Sequence, residues 1–359
     1  MGRYFAQFLG IACLLGPSPT EARVWTDSAG KHQLEADFVD FNDGKVLLTQ
    51  ADGQIFAVNL EQFSQADQDY VRRELKRRRA EQKAETSDQP GTVLYGPGRE
   101  LCKLASPMID ESSGLACSRR RPGVFWTHND SGDAARLYAF DTKGRDLGSC
   151  QLADIQAWDF EDIASLRLAG KDYLLVGDVG NNGLAVTVQI LYLIEEPAIT
   201  REATSAVKQV PIVQTINFAY EDDHRNCEGL AVDPVRKMIL LVTKEKKSPC
   251  FVYALPWPKN EPQRVLTARK IATLKIPPTT AMDISPDGRR AVVLTYGNAY
   301  EYTRRENEDW AAAFSRRPCE IVVPERLQGE SVCFGPDGKT LYLTSEKLPT
   351  PLLEVPVKH

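Results

Sequence analysis

CEGLAVDP (Cys227–Pro234) is a short apolar strand entered through an acid-bearing turn, and the chain writes that phrase five times. The other copies are ESSGLACS (Glu111–Ser118), FEDIASL (Phe160–Leu166), MDISPDG (Met282–Gly288) and ESVCFGPDG (Glu330–Gly338). Aligned on their aliphatic residues Leu115, Ile163, Leu230, Ile284 and Val332, they recur after 48, 67, 54 and 48 residues, the sequence mark of blades or solenoid units. Each opening strand is followed by a turn and a second apolar strand: VFWTHND, YLLVGDVGNN, MILLVTKEK, AVVLTYGN and LYLTSEK. Third strands then read as RLYAF, QILYLI, CFVYAL, AYEYT and LLEV, and fourth strands as RDLGSCQL, VQTINFAY, RKIATLKI and CEIVV. The fifth copy lacks a fourth strand, and RELCKLAS, just before the first copy, can supply it. Closing the ring this way leaves no exposed edge, so the expectation is a five-bladed β-propeller over 99–359. A sixth blade would need strands that the sequence does not display.

Working outward, the chain has 359 residues, 42% of them apolar and 26% charged, which describes a globular protein with ample core. Its 44 basic and 49 acidic residues give a net charge of −5 and no electrostatic case for nucleic acid. Residues 1–22 read as a cleaved signal peptide. Arg3 is the positive region, Phe5–Leu15 the apolar region and Thr20-Glu21-Ala22 the cleavage site. The expected location is therefore secreted or periplasmic, with no transmembrane helix. Beyond the signal there are seven cysteines, an odd number without CxxC or Cys/His spacing for zinc.

Residues 23–70 alternate in strands: RVWTDSAG, HQLEADFVDF, KVLLTQ and QIFAVNL, with Asn42-Asp43-Gly44 and Ala51-Asp52-Gly53 as hairpin turns. Four short strands in so few residues suit a small closed barrel, making the whole chain all-β. The opening Arg23-x-Trp25-x-Asp27-x-x-Gly30, then Ala36, Gly44-Lys45-Val46, Gly53, Leu60, and Phe63-Ser64-x-x-Asp67 complete its signature. This string resembles SHD1, the Sla1 homology domain 1. The resemblance implies an SH3-like barrel and, from eukaryotic members, recognition of a short peptide or protein segment. Ser64 is placed to cap a helix, and 71–98 reads as a charged helical linker ending in a Gly/Pro hinge.

In an antiparallel blade, the turns entering the first strand share one end with those joining the second to the third. Entry turns hold Asp159, Glu161, Asp222, His224, Glu228 and Glu330. The other turns at that end hold Asn129, Asp130, Asp133, Asp178, Asn181, Lys244 and Glu346. A polar ligand-binding face is expected there, formed by Asn129, Asp130, Asp133, Asp159, Lys244 and Glu346. Two positions before the aligned aliphatic residue, the copies carry Ser113, Glu161, Glu228, Met282 and Glu330. Three glutamates should thus converge in the central channel, where like charges need a cation, a shared proton or backbone donors. Oxygen ligands of this kind suit calcium, and Glu161, Asp178, Asn181, Glu228 and Glu330 are the expected metal set. The plain alternative is that these acids cap neighbouring blades through backbone N–H groups.

The order NDSGD, DFEDIA, GDVGNN, CEGLAVDP, DISPDGR, TYGNAYEY, QGESVCFGPDG, TSE resembles a family of exported bacterial propellers of largely unassigned activity. That family's Asp-Ile-Gly-Asp-Asn is Asp178-Val-Gly-Asn181-Asn182 in this chain, and an Arg that commonly follows is missing. The repeated Glu entry turns also resemble calcium-dependent lactonase and phytase-like propellers. Two function classes follow. One is a binding or adaptor protein using barrel and propeller face, with calcium at the face. The other is a metal-dependent hydrolase of esters, lactones or phosphoesters, with His128, His224 and Asp222 as catalytic groups. No GxSxG elbow or P-loop is present.

Overall fold

The computed structural model describes residues 23–42, 45–50, 55–86, 93–130, 132–199, 208–246, 248–258 and 264–358. The signal read at 1–22 and both Asp-Gly hairpin turns lie outside them in whole or part. Strands β1 (Arg23–Thr26), β2 (Gln33–Asn42), β3 (Lys45–Thr49) and β4 (Ile55–Asn59) form one sheet in sequence order, every pair antiparallel. An antiparallel bridge from Asp27 to Phe63 brings the chain back onto its start. Trp25, Ala36, Val46, Leu48, Phe63 and Val71 make the barrel core.

The signature residues of this module have physical jobs. Trp25 donates Nε1–H to Ala36 O at 2.9 Å, fixing the largest core side chain. Asp27 Oδ1 accepts from Lys31 N and His32 N, and Gly30 sits at φ +72°, closing the first turn. Helix α1 (Gln65–Thr86) is capped by Ser64, whose Oγ accepts from Asp67 N. Asp67 in turn receives Thr26 N, the Ser64 hydroxyl and the Arg23 guanidinium, which lies over the Tyr70 ring. Because Val71 is fully buried and Leu75 packs on the same core, the first turns of α1 belong to the barrel, beyond the expected boundary at 70.

From β5 (Arg99–Lys103) onward, the strands pair in sets of four. The first set is β6 (Ser112–Cys117), β7 (Val124–Asn129), β8 (Arg136–Asp141) and β9 (Asp146–Leu152). The second is β10 (Phe160–Leu168), β11 (Lys171–Asp178), β12 (Gln189–Glu195) and, after β13 (Lys208–Val210), β14 (Ile212–Tyr220). The third is β15 (Cys227–Asp233), β16 (Met238–Thr243), β17 (Cys250–Pro256) and β18 (Val265–Leu274). Then come β19 (Thr279–Ile284), β20 (Arg290–Thr295), β21 (Ala299–Thr303) and, after helix α2 (Trp310–Ser315), β22 (Cys319–Ile321). Last are β23 (Ser331–Phe334), β24 (Leu341–Thr344) and β25 (Pro351–Val355), completed by β5.

The innermost strands β6, β10, β15, β19 and β23 each pack on the next, and β23 packs back on β6. That cycle is a β-propeller with five four-stranded units. Buried clusters of Leu, Val, Ile and Phe lie between successive units. Each such side chain contributes roughly 1.5–3 kcal/mol, so the faces between blades hold the ring together. Two pairings were not legible beforehand: β13 adds parallel to β9, and the outer strands β14 and β18 pair parallel, fusing two blades into one sheet. All seven cysteines of the described residues are free thiols, and no described helix is long and apolar enough to cross a membrane.

Candidate functional site

Four of the innermost strands open with a β-bulge, one extra residue opposite a single partner. The pairing skips Ser113, Glu161, Glu228 and Thr280. The bulge turns these side chains out of the ladder at one end of the ring, and Glu330 enters β23 at the matching place. In the fourth blade the bulged residue is thus Thr280, and the expected Met282 sits two residues further in. Met282 and Ile284 are both apolar and alternate, so alignment on Ile284 chose the wrong register.

The residue after each bulge, Gly114, Asp162, Gly229 or Ala281, packs against the innermost strand of the next blade. Three are small because the strands crowd there. A Cβ on Gly229 would lie 2.8 Å from Met282 N, and one on Gly114 would lie 3.0 Å from Ile163 N. Asp162 fills the space that they leave. It is fully buried and accepts from Ile163 N at 2.8 Å, Leu230 N at 2.8 Å and Met282 N at 3.2 Å, tying three blades together. Asp283 repeats the device, accepting from Ile284 N and Phe334 N. Backbone capping between blades, the alternative weighed for the channel acids, is what these two neighbouring acids do.

The three glutamates converge above that plug with different partners. Glu228 accepts from Asn226 Nδ2 at 2.9 Å and pairs with Lys244 Nζ at 3.0 Å. Glu330 accepts from Tyr296 OH at 2.8 Å and Gln328 Nε2 at 3.1 Å. Glu161 is 2% exposed, and among the described residues none gives its carboxylate a hydrogen bond or ion pair. Burial, then the charges of Glu228, Asp130 and Asp159, push Glu161 well above the usual carboxylate range. Burial raises Glu228 to about 7, and burial with Asp130 and Asp178 nearby raises Asp159 to about 6. Burial opposes the charge on Lys244, but Glu228 and Glu330 overcome it and hold the ammonium.

Asp130 joins two carboxylate triads. Its oxygen lies within 4.8 Å of oxygens of Asp159 and Glu161 on one side, and of Glu330 and Glu346 on the other. Glu346 is lifted to about 8 by burial and by Glu330. Three expected ligands stand outside these groups: Glu228, which is held by Lys244 and Asn226, and Asp178 and Asn181. Asp178 accepts from Trp158 N and Asp159 N, and Asn181 bonds Ala185 N, Val186 N, Val186 O and Arg225 O. Both shape the loop and spend their side chains on backbone. Asn129 and Asp133 do likewise for their own turn, bonding each other, Met108 O, Ala134 N and Tyr138 OH.

The expected catalytic trio is not brought together. His128 is fully buried, held by Asn129 O and edge-on to Phe160, and burial lowers it to about 4. Strand alternation turns it between blades, away from the face. His224 contacts Leu184 O and Thr187 Oγ1, so neither ring nitrogen meets a carboxylate. Asp222 accepts from Tyr253 OH and Arg225, which offset its burial and hold it below its usual range.

Beside the cluster lies a cleft of ≈ 940 Å³ bounded by both modules. Lys45, Leu47 and Ala57 of the barrel form one wall, with Lys244, Phe251, Tyr296 and Leu327 of the ring opposite. Lys45 reaches Glu325 across it at 2.6 Å. Lys244 therefore belongs to cleft and cluster alike.

Residues 15–79 match the model of SLA1 homology domain 1, SHD1, so this chain carries that domain at its N-terminal end. The same region is 43% identical over 51 residues to the actin cytoskeleton-regulatory complex protein SLA1 of Mycosarcoma maydis, covering 14% of this chain and 4% of that one. It is 40% identical over 57 residues to SLA1 of Vanderwaltozyma polyspora, covering 16% and 5%. The chain thus spans a small fraction of these relatives. A solved structure titled "Structure of Dos1 propeller" aligns over 93% of this chain and 82% of its own, at 10% identity and a TM-score of 0.35. Likeness at that level carries no argument, and the propeller assignment rests on the closed cycle of strands.

Proposed function

We propose that the chain is an exported, two-module binding protein. Its SHD1 barrel and propeller face together take a peptide or protein segment, and calcium sits at the propeller face. The SHD1 match supports a protein-binding role. One observation carries the reading further: the cleft is walled by both modules, with apolar side chains on each side and Lys244 among its lining. Clefts of this size with a few convergent polar groups are the usual form of a ligand site. Export belongs to the proposal through the signal read at 1–22.

The test is selection of a phage-displayed random peptide library on the full chain. Enriched peptides should lose at least about tenfold in affinity with either Leu47→Glu or Phe251→Ala. Peptides indifferent to Phe251, or no enrichment, would overturn the shared-cleft reading. The hydrolase reading would use the same carboxylates, but His128 and His224 have other partners among the described residues. Turnover of a chromogenic ester, lactone or phosphoester with calcium, lost in Asp130→Asn, would revive it.

A further inference from the structure

We propose that Asp130, Asp159 and Glu161 form a binding site for one hard divalent cation of calcium's size at the mouth of the ring. The site rests on the reading of the propeller face as a binding surface, and it names where on that face the ion goes.

Clustered carboxylates alone are common on protein surfaces, so other features must point to a ligand. Glu161 is the first. A carboxylate withdrawn from water with no donor costs several kcal/mol unless it is neutralised. Glu228 has Lys244 and Asn226, and Glu330 has Tyr296 and Gln328. Among the described residues, the groups at ligating distance from Glu161 are Asp130 and Asp159, both of its own sign.

Gly180 is the second. A Cβ there would collide with Asp159 Oδ2 and Glu161 Oε1. The missing side chain is what lets both carboxylates turn to the same point. Asp159 is further fixed from behind. Its carbonyl accepts from Val179 N and Gly180 N at 3.1 Å, and Asp178 Oδ1 accepts its N–H at 2.7 Å. The loop Asp178–Asn181 is therefore a holder for Asp159 and contributes positioning residues.

The third feature decides between the two triads that share Asp130. Lys244 and the hydrogen-bond donors stand on the Glu228–Glu330 side, so positive charge is already supplied there. On the Asp159–Glu161 side the described residues supply none at ion-pair distance. Ligand oxygens within 4.8 Å of one another fit around an ion with metal–oxygen distances of about 2.4 Å, the calcium range. An all-carboxylate set with no nitrogen or sulfur disfavours zinc and copper. Three carboxylates leave about half of calcium's coordination to water or to oxygens of a ligand arriving over the face.

The experiment is calorimetric titration and thermal melting of the chelator-stripped full chain with CaCl₂, MgCl₂ and ZnCl₂. One calcium per chain and a raised Tm are expected, with weaker magnesium binding. Asp159→Asn and Glu161→Gln should each weaken calcium at least tenfold, Gly180→Ala likewise, and Glu346→Gln less than about threefold. Glu161→Gln should also melt higher than the parent without metal, because it replaces an acid whose ionisation the fold opposes; this shows that the variant folds. Absence of calcium binding in the parent, tighter zinc than calcium, or loss in Glu346→Gln with retention in Glu161→Gln would each overturn the site. Calcium binding without any peptide binding would leave the site and remove the shared-cleft reading, and the reverse result would do the opposite.

Discussion

Lys244, which lines the cleft, meets Glu228 at 3.0 Å, the glutamate almost wholly withdrawn from water. The pair supplies the cluster with a fixed cation and leaves the remaining negative charge on the far side of the ring mouth. Removing the ammonium alone would strand Glu228.

Lys244→Met should therefore destabilise the propeller by roughly 3–5 kcal/mol, the cost of breaking a buried pair from one side. The double variant Lys244→Met/Glu228→Gln should recover most of that loss, because no uncompensated charge remains. Denaturant melts of both variants measure it, and equal losses in single and double variants would contradict the account.

Asp162 ties three blades together, so its loss should be felt by the ring as a whole. Asp162→Ala leaves the N–H groups of Ile163, Leu230 and Met282 without their acceptor. Each unsatisfied donor costs roughly 1–3 kcal/mol. Asp162→Asn keeps one carbonyl oxygen and should lose clearly less. A thermal melt ordering the parent above Asn and Asn above Ala is expected.

His128 gives a pH dependence of defined sign. Its pKa is about 4 in the fold against an ordinary 6.5, so the folded state favours the neutral ring. Stability from this residue is complete above about pH 6.5 and falls as pH drops toward 4. Comparing the parent with His128→Asn across that window should show a steeper acid-side fall in the parent. Parallel curves would mean that the ring titrates freely.

Lys45 and Glu325 join barrel to ring, but both side chains are well exposed. Such a pair contributes under about 1 kcal/mol. Lys45→Glu should leave the melting of the chain nearly unchanged while weakening any peptide held in the cleft. A large loss of stability would show that docking of the modules depends on this contact.

The repeat was legible because the core alternates with period two and its turns carry Asp-Gly and Pro. The polar end was legible too, since antiparallel order alone puts Glu161, Glu228, Glu330, Asp130 and Lys244 together. What alignment misread were positions governed by backbone irregularity. A bulge shifts register by one residue without changing the apolar pattern, so Met282 stood in for Thr280. Asp178 and Asn181 look like ligands in a string, yet loop N–H groups reach them first. Gly180 carried the opposite signal: a residue with no chemistry of its own decides where Asp159 and Glu161 point. Smallness at Gly114, Gly229 and Ala281 was the available clue to the plug formed by Asp162.

The pairing of β5 with β25 has a consequence for the order of synthesis. Arg99 and Glu354, which pair across that seam, are 255 residues apart in sequence. During translation β5 emerges early and waits, unpaired, while the barrel ahead of it folds on nearby contacts. Closing so long a loop is entropically slow compared with local pairing. The nascent ring therefore stays an open arc, with β5 bare at its start, until Pro351–Val355 leaves the ribosome. A chain lacking Pro351–Val355 would carry a sticky edge, which β25 hides once it pairs with β5.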